Sequence, residues 1–146
     1  MIKKILVALD GSEAAKHALN YALDLAELTS AELELLTVIP PVFLPSYSVY
    51  VLESSVIADC AKKMETFCRG VLSRAQIEVQ KKKPELKVST KIEKGEPDEK
   101  IVKIAKDENF DIIVIGCRGL GGRGDTLGSV SFRVVDKAHC PVLIVK

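Results

Sequence analysis

Apolar residues along this chain recur with two different periods, and the two periods alternate. Lys4 to Leu9 is a nearly continuous, partly β-branched run that Asp10-Gly11-Ser12 ends with a turn, one that also suits a helix cap. It predicts a first strand. Ala14, Ala15, Ala18, Leu19, Ala22, Leu25 and Ala26 then fall three and four apart, which is one buried stripe of a helix reaching about Thr29. Leu33 to Ile39 is a second apolar run, closed by Pro40-Pro41 because proline cannot continue the ladder of a central strand. The stretch 40–52 carries Phe43, Tyr47 and Tyr50 among prolines with no helical period, and reads as an ordered loop or flap. From Val56 helical spacing resumes through Ile57, Cys60, Ala61, Met64, Phe67, Cys68, Val71, Leu72 and Ala75. This stripe, its Met-Phe-Cys part included, predicts core packing. Lys81-Lys82-Lys83-Pro84 ends the helix with charges that suit the negative end of its dipole.

Leu86, Val88, Thr90 and Ile92 alternate with Lys87, Ser89, Lys91 and Glu93, the period of a half-exposed strand, which belongs at a sheet edge. Gly95-Glu96-Pro97-Asp98-Glu99 supplies a proline and acids for a helix start, followed by Ile101, Val102, Ile104 and Ala105. Asp111 to Ile115 is a short branched apolar run, as expected of a strand covered on both faces. A glycine-rich loop from Gly116 to Gly128 leads to a last helical stripe, Val130, Val134, Val135 and Ala138, and a last strand, Pro141 to Val145. Five strands alternating with four helices predict an open, mainly parallel α/β sheet with helices on both faces, and they occupy nearly all of 1–146 as one domain.

Charge narrows the function classes. The 146 residues carry 21 basic and 20 acidic side chains, a net +1, so the overall field does not hold this chain to nucleic acid or acidic lipid. Its apolar runs fall short of the roughly 20 residues that span a bilayer. The basic-then-apolar start resembles a signal peptide, but Asp10 cuts it short, and a cytoplasmic location is expected. Cys60 and Cys68 lie about 12 Å apart along one predicted helix, too far for a disulfide. Cys117 and Cys140 fall at opposite ends of the sheet. Four free thiols in a reducing compartment follow. No Cys-x-x-Cys pair exists, and His17 and His139 lack ligand-spaced neighbours, so no metal site is predicted.

Open parallel sheets bind ligands outside the carboxyl ends of their strands. That rule points to Asp10, Val38 and the loop after Ile115. Residues 116–131 hold six of the nine glycines, whose backbone can approach a ligand closely and turn its amides inward. A helix start near Gly128 adds free amides and the positive end of a dipole, and Ser129 and Ser131 add hydroxyls, the parts of a phosphate cradle. The loop lacks the lysine of a P-loop. Gly119-x-Gly121-x-x-Gly124 matches the dinucleotide fingerprint by letter, but it comes late in the chain, with no acid closing the next strand to hold a ribose. A loop that merely makes a tight connection is the competing reading. Cys117 is the best-placed nucleophile, against a simpler role as a small residue in a turn. Asp10 lacks the paired acids of a phosphoacceptor receiver domain. No acid, base and nucleophile set is apparent.

Taken together, these residues resemble the universal stress proteins. The resemblance covers essentially the whole chain: Ile5-Leu6-Val7-Ala8-Leu9-Asp10-Gly11-Ser12, Gly95-x-Pro97, Asp111 to Gly119, Gly128-Ser129-Val130-Ser131 and Cys140-Pro141-Val142-Leu143-Ile144-Val145. ATP-binding members carry Gly-x-x-Gly, nine residues, then Gly-Ser or Gly-Thr. Here eight residues separate Gly119 from Gly128, and Gly121, Gly122 and Gly124 make that stretch adaptable enough to absorb the difference before the helix start. The resemblance implies an adenine nucleotide alpha hydrolase-like sheet of order 3-2-1-4-5, a homodimer through Val142, Leu143, Ile144 and Val145, and ATP, with Mg²⁺, across the strand ends. It places the Ala8 and Val38 regions against adenine and Asp10 on the ribose hydroxyls. Gly116, Gly119, Gly128, Ser129, Val130 and Ser131 would hold the phosphates, mostly through backbone amides. Arg118 and Arg123 would supply positive charge and offset Asp125. A nucleotide-dependent stress-response switch with at most slow ATP hydrolysis is the leading expectation; an ATP-free homodimeric scaffold is the alternative.

Overall fold

A computed structural model describes residues 1–42, 54–122, 124 and 126–146. Its elements follow in the order β1 (Lys4–Ala8), α1 (Glu13–Thr29), β2 (Glu32–Ile39), α2 (Ser54–Lys82), β3 (Val88–Lys94), α3 (Pro97–Asp107), β4 (Ile112–Gly116), α4 (Ser129–Lys137) and β5 (Val142–Val145). The strands form one five-stranded sheet of order β3-β2-β1-β4-β5, and every neighbouring pair is parallel. The fold class is the one the alternating pattern predicts, and the strand order is the one the family resemblance implies. β1 lies at the centre, with Ala8 opposite Leu36 on β2 and Ile115 on β4, so the carboxyl ends of the three middle strands meet at one rim of the sheet.

Strand alternation sends the side chains to two cores. On one face Ile5, Val7, Leu33, Leu35 and Val114 pack against the alanine-rich stripe of α1 and against Val71, Ala75 and Val79 of α2. On the other, Leu6, Leu36, Ile113 and Ile115 pack against Ile101, Ile104 and Ala105 of α3 and Val134 of α4. Small residues on α1 bring that helix close to the sheet, and Ser12 caps it by accepting from the Ala15 amide at 3.1 Å.

The two sheet edges differ in character. β3 exposes Ser89 and Thr90, and its Lys91 pairs with Glu34 and Glu108, as the alternating pattern predicts for a polar edge. β5 is apolar and partly exposed, and the helix before it presents Phe132 and Val135 at 60% and 47% exposure.

One helix departs from the reading of its stripe. Only Cys68, Val71, Ala75 and Val79 of α2 are buried, all in its second half or at its midpoint. Cys60 is exposed, and Met64 and Phe67 are 38% and 42% exposed, so the amino-terminal half of the stripe is not core. α2 is 29 residues long, whereas β2 has eight. At 1.5 Å per helical residue against about 3.3 Å per strand residue, the helix outruns the sheet it covers by roughly 15 Å. Phe43, Tyr47 and Tyr50 lie outside the described residues.

Candidate functional site

A cavity of about 530 Å³ opens where the carboxyl ends of β1, β2 and β4 meet. That volume is ample for a small-molecule ligand. Its floor comes from Ala8 and Asp10 after β1, Leu36 to Val38 of β2, and Ile115 and Gly116 of β4. Met64, Phe67 and Cys68 of α2 form one wall, and Pro97 and Ile101 of α3 contribute to the lining. The glycine-rich loop and the start of α4 close the remaining side through Arg118 to Gly122 and Gly128 to Ser131.

Ten of the residues singled out in the sequence meet here: Ala8, Asp10, Val38, Gly116, Arg118, Gly119, Gly128, Ser129, Val130 and Ser131. Arg123 and Asp125 lie outside the described residues. The lining is mostly apolar, and Asp10 and Arg118 carry its charge.

Asp10 ties the β1 turn to the glycine loop. One carboxylate oxygen accepts from the Ser12 amide at 2.9 Å, and the other accepts from the Leu120 amide at 3.2 Å. Each oxygen keeps a second lone pair for a ligand hydroxyl. The close approach explains Gly119, because a Cβ there would stand 2.6 Å from Asp10 Oδ2. Ser12 adds a second tie, its hydroxyl donating to the Arg118 carbonyl at 3.4 Å.

The start of α4 is built almost entirely from backbone. Gly128 is the N-cap residue and has no capping side chain, and its amide donates to the Cys117 carbonyl at 2.7 Å. The first helical bond runs from Phe132 N to Gly128 O. The amides of Ser129, Val130 and Ser131 therefore have no carbonyl within the helix to bond. Ser129 is exposed. Ser131 is buried instead, and its hydroxyl donates to the carbonyls of Cys117 at 2.8 Å and Gly128 at 3.0 Å. That single proton holds the loop to the helix, so Ser131 offers a ligand its amide rather than its hydroxyl.

Gly116 lines the cavity, but packing also demands glycine there. A Cβ would stand 2.7 to 2.9 Å from backbone and side-chain atoms of Ala14 and Ala15 on α1. Cys117 is buried, with its amide bonded to Val145 O and its carbonyl accepting from Gly128 and Ser131, the small-residue role in a turn. Burial, reinforced by the Asp10 charge, pushes the Cys68 thiol above its ordinary pKa, which keeps it protonated at neutral pH. All four cysteines are free, and among the described residues no group of His, Cys, Asp and Glu is arranged to hold a metal ion. No helix among them is long and apolar enough to cross a membrane.

Four segments missed in the sequence also build the site: Thr37, the Met64–Cys68 stretch, Leu120, and the start of α3 at Pro97. An apolar stripe alone does not say whether it meets a core or a cavity. The length mismatch between α2 and β2 was the readable sign that part of α2 stands beyond the sheet.

The chain is thus an open parallel α/β sheet with a ligand-sized cavity at its central strand ends, where such sheets take their ligands, closed by a glycine loop and a helix start. The universal stress protein family model matches residues 1–146, and the chain belongs to that family. It is 34% identical to universal stress protein YxiE of Bacillus subtilis over 151 residues, covering all of both chains. It is 36% identical to universal stress protein MJ0577 of Methanocaldococcus jannaschii over 156 residues, covering 100% of this chain and 96% of that one. The solved MJ0577 structure superposes with a TM-score of 0.79. A universal stress protein solved in complex with cAMP, 25% identical, superposes with a TM-score of 0.72 over 99% of this chain and 97% of that one.

Proposed function

We propose that this protein binds ATP, with Mg²⁺, along the strand-end cavity, and that occupancy makes it a nucleotide-dependent switch in a stress response. The observation that carries the reading is the convergence of ten residues, from three strand ends, the glycine loop and one helix start, on a single cavity that also holds the Arg118 guanidinium and a row of open amides. The apolar β1–β2 end, near Ala8 and Val38, suits a base. Asp10 has lone pairs for ribose hydroxyls. The amides of Ser129, Val130 and Ser131, the positive end of α4 and the Arg118 guanidinium suit the phosphates. Mg²⁺ would neutralise phosphate charge, with Asp10 the nearby carboxylate of the lining. The cAMP complex of a family relative supports an adenine nucleotide as the ligand class.

The same reading makes β5 a homodimer edge. An open apolar edge beside exposed Phe132 and Val135 invites pairing with a second copy, whereas the lysine-rich β3 edge discourages it. Sedimentation at micromolar concentration should give a dimer; a stable monomer removes this part of the reading.

Analysis of nucleotide released from the purified protein, followed by calorimetric titration with Mg-ATP, tests the ligand. Co-purified adenine nucleotide or submillimolar binding heat is expected. Absence of both would leave the ATP-free homodimeric scaffold.

A further inference from the structure

Thr37 is the one buried side chain in the cavity lining whose polar atom has no partner among the described residues. It is 1% exposed, and its Oγ1 makes no hydrogen bond to any described residue. The other buried side-chain oxygen without a hydrogen bond among the described residues, Glu34 Oε1, lies 3.5 Å from the Lys91 ammonium and is compensated by that charge; none of the described residues places a comparable charge on Thr37. A buried hydroxyl left unpaired costs on the order of 1–3 kcal/mol, and valine would fill the same space on a strand without that cost. Nothing among the described residues offsets the cost of burying this hydroxyl.

Its position gives it a use. Thr37 lies one residue beyond the Leu36–Ala8 pair and directly before Val38, at the β2 end of the cavity. Along β2 it shares the face of Leu33 and Leu35, which α2 covers. On that side the lining is Met64, Phe67 and Cys68, and the first two are only partly buried, so the cover there consists of side-chain ends that can shift. Two strand spacings of about 4.8 Å separate β2 from β4. Thr37 is therefore about 10 Å across the sheet from the glycine loop, too far to serve the phosphates that the α4 amides would hold.

Resting on the nucleotide reading above, we infer that Thr37 is a base-contacting residue: its hydroxyl completes its hydrogen bonding on a polar atom of the bound nucleotide's base, against the α2 wall. A hydroxyl can both donate and accept, so it suits the mixed edge of a purine. The hydroxyl that finds no partner among the described residues is the counterpart of a bond made to the ligand.

Calorimetric titration of Mg-ATP into wild type, Thr37→Val and Thr37→Ser, with thermal melting of each, tests this. Submillimolar binding by wild type is the precondition, and its failure would defeat the nucleotide reading itself before Thr37 is in question. Given binding, Thr37→Val should weaken affinity about tenfold while melting no lower than wild type, because it loses one ligand bond and no protein bond. Thr37→Ser, which keeps the hydroxyl, should bind within about threefold of wild type. Thr37→Ala, lacking the hydroxyl and adding no bulk, should weaken binding even if the valine variant fails to fold. Equal affinity of wild type and Thr37→Val overturns the inference. Equal weakening by Ser and Val overturns it too, since packing rather than the hydroxyl would then be at work.

Discussion

The two ends of the cavity are made of different material. Where β1 and β2 end, the lining is chiefly side chain: Ala8, Thr37, Val38, Met64 and Phe67. Where β4 ends, it is chiefly backbone: glycines, a turn fixed by Ser131 and Asp10, and the open amides of α4. Side chains give shape and choice of ligand, while amides give a fixed positive field that any anionic group can use. The first end is sensitive to removing atoms and the second to adding them.

The largest effect should come from adding atoms at the backbone end. Gly128→Val places branched carbons where even a lone Cβ would stand 3.3 Å from Arg118 Cα, beside the open amides. Titration should show Mg-ATP affinity falling about a hundredfold or more, roughly 2.7 kcal/mol, with the sedimenting mass unchanged. Retained affinity would take the phosphates away from α4. Gly116→Ala should act on stability first, because its methyl meets α1 backbone at 2.7 Å. A loss of about 1–3 kcal/mol in denaturant unfolding is expected, and wild-type stability would show that α1 yields there more easily than the packing implies.

Arg118→Ala should weaken Mg-ATP binding by about tenfold, roughly 1.4 kcal/mol, and flatten its dependence on salt. An unchanged salt dependence would mean the guanidinium does not face the phosphates. The smallest effect belongs to a control at the opposite rim of the sheet. Asp111 accepts the Lys3 and Lys4 amides at 2.7 and 2.9 Å, and those bonds hold its carboxyl below the usual carboxylate range. Its folded pKa is thus depressed, so its contribution is present above the ordinary carboxylate pKa and is lost as pH falls through the folded value. Asp111→Asn should flatten the acid limb of a stability–pH curve and leave nucleotide affinity alone. A change in affinity would break the separation of the two rims.

The same division explains what the sequence made legible. Strand ends and helix starts are written in local signals such as Asp10-Gly11-Ser12, Pro40-Pro41 and Gly128-Ser129, which point to Asp10, Val38 and the glycine loop; the resemblance to the universal stress proteins supplies the rest of the ten positions, Ala8 and Val130 among them. Roles that depend on a distant segment were not legible. Gly116 reads as a ligand glycine, yet α1, 100 residues earlier, also requires it. The hydroxyl of Ser131 reads as a phosphate donor, yet the turn uses its proton. Met64 and Phe67 keep the period of a core stripe because a cavity wall and a core demand the same apolar face. Thr37 carries no signal at all, being a β-branched residue in an apolar strand.

The central claim is that one ligand lies along this cavity, its phosphates at α4 and its base at β2. Amide NMR spectra recorded while Mg-ATP is added address it residue by residue. The account predicts that Ser129, Val130, Ser131 and Leu120 shift together with Thr37 and Val38 at one saturating concentration, while Lys3 and Lys4 at the far rim stay in place. Shifts confined to the far rim, or none up to millimolar Mg-ATP, would contradict it.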